Sequence, residues 1–222
     1  MTDRPPRDPP VDRRDLAGTA SPRAPLLRKG RGAVTNRTGR YEQLQREAVD
    51  DGWSCDDESP RPLRTELTPD RSRPLLTFND SPDIPFDRSI NPYRGCEHGC
   101  IYCYARPSHA WLGLSPGQDF ESRITYKAEA GAILRRELQR PGYTPRTIAL
   151  GANTDAYQPS ERHLGITRDV VSVLVESRHP FTVITKAALV ERDLDLLANA
   201  ARAGTVSVAV SITTLNLSLI HI

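Results

Sequence analysis

Three of the four cysteines fall within eight residues, in the run Cys96-Glu97-His98-Gly99-Cys100-Ile101-Tyr102-Cys103, a C-x3-C-x2-C spacing. Three thiolates this close in sequence can ligate three irons of one cubane cluster, whereas a ferredoxin set of four cysteines closes every iron. One iron then stays open to a small molecule, which an enzyme needs when its metal must touch a substrate or cosubstrate. The alternative is zinc, with the same cysteines joined by His98 or His109; such sites are usually built from C-x2-C pairs wrapped around a tetrahedral ion. Three unligated core thiols fit poorly beside Arg94, Glu97, His98 and Gly99, which are not core-like. Cys55 lies in a polar stretch and is a poor fourth ligand. Cysteines that are few and clustered suit a metal site in a reducing compartment better than a disulfide framework.

The loop carrying these thiols needs a scaffold, and the residues from Ser89 onward supply one. Ser89–Tyr93 reads as a short strand leading into the cysteines. The β-branched, apolar runs 147–151, 181–185 and 206–212 read as strands buried on both faces. Amphipathic stretches alternate with them: Ala130, Ile133, Leu134 and Leu138; Val170, Val173 and Leu174 behind a capping Thr167; and Leu194, Leu197, Ala198 and Ala201, with Gly204 ending the last helix in the left-handed conformation. Strand–helix–strand repeats at this spacing predict an α/β fold of parallel units, either closed as a barrel or left as an open sheet.

The front of the chain differs. Residues 1–40 hold nine Arg, Lys29 and four Asp, a net charge of +6, while the remainder carries −4. Up to about residue 80 the sequence is dense in Pro, Arg and Asp with little apolar periodicity, so residues 1–80 are expected to form a mostly disordered basic arm. Gly30–Val34 and the stretch containing Tyr41, Leu44, Val49 and Trp53 are the exceptions, able to dock on a surface. Arg-rich flexible segments bind phosphates through charge, which makes a nucleic acid one expected partner, with a solubilising tail as the alternative. No apolar run approaches the ~20 residues of a membrane span, and the first residues lack the apolar core of a secretory signal, so a cytoplasmic protein without a membrane partner is expected.

These residues resemble the radical S-adenosylmethionine superfamily, whose hallmark C-x3-C-x-aromatic-C is met by Cys96, Cys100, Tyr102 and Cys103. The likeness extends over Asn91–Cys96, Cys103–Pro107 and Ala149–Pro159, and is greatest to the spore photoproduct lyase-like branch, also labelled DNA repair photolyase-like. The resemblance implies the N-terminal portion of a partial (β/α)6 TIM-like barrel over residues 81–215. It also implies a [4Fe–4S] cluster on Cys96, Cys100 and Cys103, with S-adenosylmethionine across the carboxyl ends of the strands, where ligands of βα folds sit. A flavodoxin- or ferredoxin-type protein would supply one electron, and the resulting 5′-deoxyadenosyl radical would abstract hydrogen from a substrate that the likeness does not name. By the same resemblance Tyr102 lies beside the adenine. Asn153, Thr154 and Asp155 follow the second barrel strand toward the methionyl end, Lys186 nears the carboxylate, and Ser211 and Thr213 meet the ribose. Plainer roles exist for each: a packing aromatic, ordinary loop formers, a solvated lysine and a strand residue.

Two features depart from that branch. Ala152 stands where the lyases have a hydrogen-donating cysteine, so repair of thymine dimers by that route is not expected. Residues 216–222 do not look like a continuation of the barrel, and the chain is expected to be C-terminally truncated, with a non-native tail from Asn216. A sheet ending at 206–212 would leave an apolar strand on an open edge. The competing class is a non-catalytic module, zinc-stapled or an iron–sulfur electron carrier; an electron carrier normally closes all coordination positions.

Overall fold

The computed structural model describes residues 30–42, 63–72 and 74–215. Its order is β1 (Glu66–Pro69), β2 (Leu76–Phe78), β3 (Arg88–Ile90), β4 (Tyr93–Arg94), a 3-10 turn (Arg106–Leu112), α1 (Gln118–Ser122), β5 (Arg123–Tyr126), α2 (Ala130–Leu138) and β6 (Ile148–Leu150). Then come α3 (Glu161–Leu164), α4 (Ile166–Glu176), β7 (Phe181–Thr185), a second 3-10 turn (Ala188–Asp193), α5 (Leu194–Arg202) and β8 (Val206–Val210). Five strands make the main sheet in the order β2-β3-β6-β7-β8. Strands β3, β6, β7 and β8 are parallel and lie side by side in chain order, with β2 antiparallel at one edge. The result is a mixed α/β fold in which the parallel strands advance in one direction across the sheet.

Burial follows the sequence pattern where both faces are covered. Ile148, Ala149 and Leu150 are fully buried, as are Phe181 and Val183 of β7. Val170, Val171 and Leu174 of α4 and Leu134 of α2 complete one continuous core. Gly204 ends α5 with φ +68°, as its position predicts.

Four expectations change. First, Ser89–Tyr93 is not one strand: β3 ends at Ile90 and β4 begins at Tyr93, in different sheets. Pro92 lies between them, and a proline has no N–H to continue a ladder. Second, Thr167 is not the cap of α4; Gly165 precedes the first turn, and the Thr167 hydroxyl donates instead to the Ala156 carbonyl at 2.5 Å. The Glu161 carboxylate takes the capping role, accepting from Thr167 N at 2.9 Å and Arg168 N at 3.3 Å, so a charge from the previous helix satisfies two open donors. Third, β8 stops at Val210 and is not buried on both faces; it is an edge strand with Val208 41% and Val210 57% exposed. Fourth, the stretch read as arm carries β1 and β2, and β1 joins β5 and β4 in a second, three-stranded sheet. Residues 1–29, Leu44, Val49, Trp53 and Cys55 lie outside the described residues, as does the tail from Asn216. Among the described residues no helix is long and apolar enough to cross a membrane.

His179 gives the fold a pH dependence. Its Nδ1 lies 2.9 Å from the Pro180 carbonyl, which can only accept, so Nδ1 carries the proton and Nε2 accepts from the Tyr143 hydroxyl at 2.8 Å. Burial holds the imidazole below its ordinary value of 6.5, and the nearby Arg88 charge adds to that shift. The folded state therefore binds its proton less readily than the unfolded state, and the neutral ring's contribution is complete above 6.5 and lost as pH falls beneath it. Thermal melting of the wild type should fall between about pH 7.5 and about pH 5.5 more than that of His179→Gln, which keeps a polar side chain without a titrating ring. Equal pH slopes in the two chains would refute the assignment.

Candidate functional site

The carboxyl ends of the parallel strands lead to the motif residues outside the cysteine loop. Asn91 follows β3, residues 151–155 follow β6, Lys186 follows β7, and Ser211 and Thr213 follow β8. The cysteine loop runs on from β4 and returns through the 3-10 turn at Arg106. Two backbone bonds tie neighbouring strand ends together, Gly151 N to Ile90 O at 3.1 Å and Ser211 N to Thr185 O at 2.8 Å.

Cys96 is buried against Ala105 and Phe120, and its N–H donates to the Phe120 carbonyl at 2.8 Å. Burial pushes its thiol up to about 12, although backbone N–H groups of His98 and Asp155 aimed at the sulfur work the other way. Cys100 and Cys103 are half-buried free thiols. Two tight turns shape the loop, Gly99 N to Cys96 O and Cys103 N to Cys100 O, both at 3.1 Å. Lys186 reaches across from the end of β7 to put Nζ 3.1 Å from Cys100 Sγ. That contact ties the end of β7 to the second cysteine of the loop.

The loop beneath is held by groups that sequence reasoning did not single out. Gln158, fully buried, accepts from Glu97 N at 2.9 Å and donates to the Gly95 carbonyl at 3.2 Å. The Glu97 carboxylate accepts from Ser160 Oγ and Arg31 Nη2. Asn91 uses its side-chain oxygen as a backbone surrogate, accepting from Asn153 N at 2.8 Å and Thr154 N at 3.4 Å. Each joins segments about sixty or more residues apart, so only the position of Asn91 beside the strand-breaking Pro92 could have signalled one of them.

The residues of the loop after β6 differ in what they offer. Thr154 is buried, and its hydroxyl donates to the Tyr93 carbonyl at 2.6 Å, so that side chain holds the loop to β4. Asp155 is also committed: it accepts from Thr185 Oγ1 at 2.7 Å, Tyr157 N at 2.8 Å and Lys186 N at 2.9 Å. Burial works against ionisation of this carboxyl, yet the His98 side chain and those donors hold it below the usual carboxylate range. His98 Nε2 stands 3.4 Å from Asp155 Oδ2, close enough for charge attraction but not aligned as a hydrogen bond. Asn153 is half-buried with Nδ2 3.4 Å from Ser108 Oγ, a weak contact that leaves its amide available. Tyr102 is 67% exposed, and Lys186, Ser211 and Thr213 are exposed at the same edge.

Among the described residues, no three His, Cys, Asp or Glu side chains are arranged to hold a metal ion. The chemistry of the donor set nevertheless fits an iron–sulfur group, because three thiols share one loop and, among the described residues, neither histidine near it is turned toward them as a fourth ligand. His98 is turned toward Asp155, and His109 is 1% exposed with its ring edge-on to Phe120 at 5.6 Å.

The Radical SAM superfamily model matches residues 90–220, running five residues past Leu215. Uncharacterized proteins of Mycobacterium bovis and Mycobacterium tuberculosis are 44% identical over 129 residues, which cover 58% of this chain and 38% of theirs. An uncharacterized protein of Methanocaldococcus jannaschii is 29% identical over 107 residues, 48% of this chain and 38% of its own. This chain thus spans well under half the length of the curated relatives it matches. No solved structure matches it. Since the family model covers more than half of its residues, from the last residue of β3 onward, the chain belongs to the radical SAM superfamily.

Proposed function

We propose that this chain is the cofactor-binding core of a radical S-adenosylmethionine enzyme, with the parallel strands forming the first part of a partial barrel. The observation that carries the reading is the convergence, on one sheet edge, of the three-cysteine loop with the polar loop ends after β6, β7 and β8. When bound, a [4Fe–4S] cluster supplies an electron that cleaves S-adenosylmethionine to a hydrogen-abstracting 5′-deoxyadenosyl radical. Cys96, Cys100 and Cys103 hold the cluster, and the exposed ring of Tyr102 packs beside the adenine. The amide of Asn153 and the ammonium of Lys186 orient the methionyl end, while Ser211 and Thr213 flank the ribose. Thr154 and Asp155 position that loop rather than touch the cosubstrate, since their side chains are already engaged.

The likeness of residues 149–159 supports the spore photoproduct lyase-like branch, and Ala152 supports a substrate radical quenched by another route than a thiol at that position. A nucleic acid is the substrate class favoured by charge: the net +6 of residues 1–40 enters the described fold at Gly30, which lies beside the cysteine loop through Gly32 and Gly99. A flavodoxin- or ferredoxin-type reductant completes the system. The chain, reconstituted anaerobically with iron and sulfide, should take up about four irons and, once reduced, release 5′-deoxyadenosine from S-adenosylmethionine. A sample that binds zinc but no iron or sulfide would favour the zinc-stapled module instead. Affinity for a single-stranded oligonucleotide should fall steeply with added salt and on neutralising the arginines of residues 1–28; salt-insensitive binding would remove nucleic acid from the proposal.

A further inference from the structure

We infer that Gly30–Ala33 is a strap that fixes the cysteine loop from below, with Glu121 and Arg106 as the positioning residues that connect the two; the inference rests on reading Cys96, Cys100 and Cys103 as cluster ligands. Glu121 is completely buried and accepts three consecutive backbone N–H groups of the strap: Arg31 at 2.7 Å, Gly32 at 2.9 Å and Ala33 at 2.5 Å. A carboxylate in such a nest of amides is held by charge-assisted bonds, the stronger kind. The same carboxylate accepts from Arg106 Nη2 at 2.7 Å.

Arg106 passes that constraint to the loop. Its guanidinium is 91% or more buried and donates to the Gly99 carbonyl at 2.6 Å and the Cys100 carbonyl at 2.9 Å, while Nη1 reaches Pro116 O and Gly117 O at 3.1 and 3.0 Å. One planar fork therefore sets the backbone at the second cysteine, and a lysine could not reproduce it. The strap also touches the loop directly. A Cβ on Gly32 would fall 2.0 Å from the Gly99 carbonyl oxygen, and one on Gly99, whose φ is +62°, would fall 2.6 Å from Arg31 Cβ. On the other side Arg31 Nη2 bonds the Glu97 carboxylate at 3.2 Å. Strap, carboxylate and guanidinium thus enclose Glu97–Cys100, although nearly ninety residues of chain separate Arg31 from Glu121.

Hydrogen exchange of the full wild-type chain tests the strap without any cofactor: the amides of residues 31–33 should be protected to the same degree as those of the cysteine loop, and exchange at the rate of free peptide overturns the inference. Gly32→Ala and Arg106→Lys should each speed alkylation of Cys100 in the cluster-free chain, and chelator-driven loss of the cluster's visible absorbance in the loaded chain, by roughly tenfold, the scale of one charge-assisted hydrogen bond. Arg40→Ala, an exposed arginine further along the same segment, should change neither. Unchanged alkylation and cluster retention in both loop variants overturns the strap. A wild type that never takes up iron overturns the cofactor reading instead, and the exchange and alkylation results still stand on their own.

Discussion

Iron and sulfide uptake should be lost almost completely when Cys100 is replaced by alanine, with little effect on folding. Cys100 is half-buried and belongs to neither apolar cluster of the core, so removing its sulfur should change stability by less than about 1 kcal/mol. Its loss leaves two thiols on the loop, and neither nearby histidine can substitute: His98 faces Asp155 and His109 is enclosed beside Phe120. Cys96→Ala should abolish uptake equally but destabilise more, by roughly 1–2 kcal/mol, because that sulfur is buried against Ala105 and Phe120. Cys103→Ala should abolish uptake as well, with a stability cost between the other two because Cys103 packs against the same cluster as Cys96, and Cys55→Ala should retain full iron content. The measurement is iron and sulfide per chain after anaerobic reconstitution, alongside urea unfolding. Retention of a stable cluster by Cys100→Ala would show that the motif is not the ligand set.

What could be read in the sequence was whatever repeats locally. Three cysteines at fixed spacing, the β-branched runs that became β6 and β7, and the helical spacing in α2 and α5 all signal over a few residues. The second sheet escaped because its strands lack that signal: β1 is exposed along its whole length and ends in a proline, and β4 has two residues. The positioning groups escaped for another reason. Glu121 accepts from residues 31–33, Gln158 from Glu97, and Asn91 from residues 153 and 154, so each depends on chain distant in sequence. Long-range hydrogen bonding has no period to detect. The contacts of Thr154 and Asp155 were hidden for the same reason: their side chains hydrogen-bond the Tyr93 carbonyl, the Thr185 hydroxyl and the Lys186 N–H, which only the packed structure reveals.

The same physics predicts the largest loss of stability at a site remote from the cysteines. Glu161 is completely buried, yet it is an ion held by four donors: the Tyr93 hydroxyl and Thr167 N at one oxygen, Arg192 Nη2 at 2.7 Å and Arg168 N at the other. Arg192 is shared with Asp193, itself buried and also paired with Arg168 at 2.9 Å. Burial, reinforced by the Glu161 charge, pushes the Tyr93 phenol well above its ordinary range, so Tyr93 remains a donor at any ordinary pH. Glu161→Ala would strand that phenol, uncap α4 and leave a cation partly unpaired, at a cost of about 3–5 kcal/mol. That is a large share of the ~5–15 kcal/mol that holds a typical domain together. Glu161→Gln keeps the size but loses the charge and one acceptor, and should fall between alanine and wild type. Because Tyr93 carries both this hydrogen bond and the carbonyl that anchors Thr154, the damage should be coupled: in urea unfolding, Tyr93→Phe should cost at least about 1 kcal/mol less in the Glu161→Ala background than in wild type. Strict additivity, or a loss under about 1 kcal/mol for Glu161→Ala, would mean that this buried network contributes nothing to holding the strand before the cysteine loop in place.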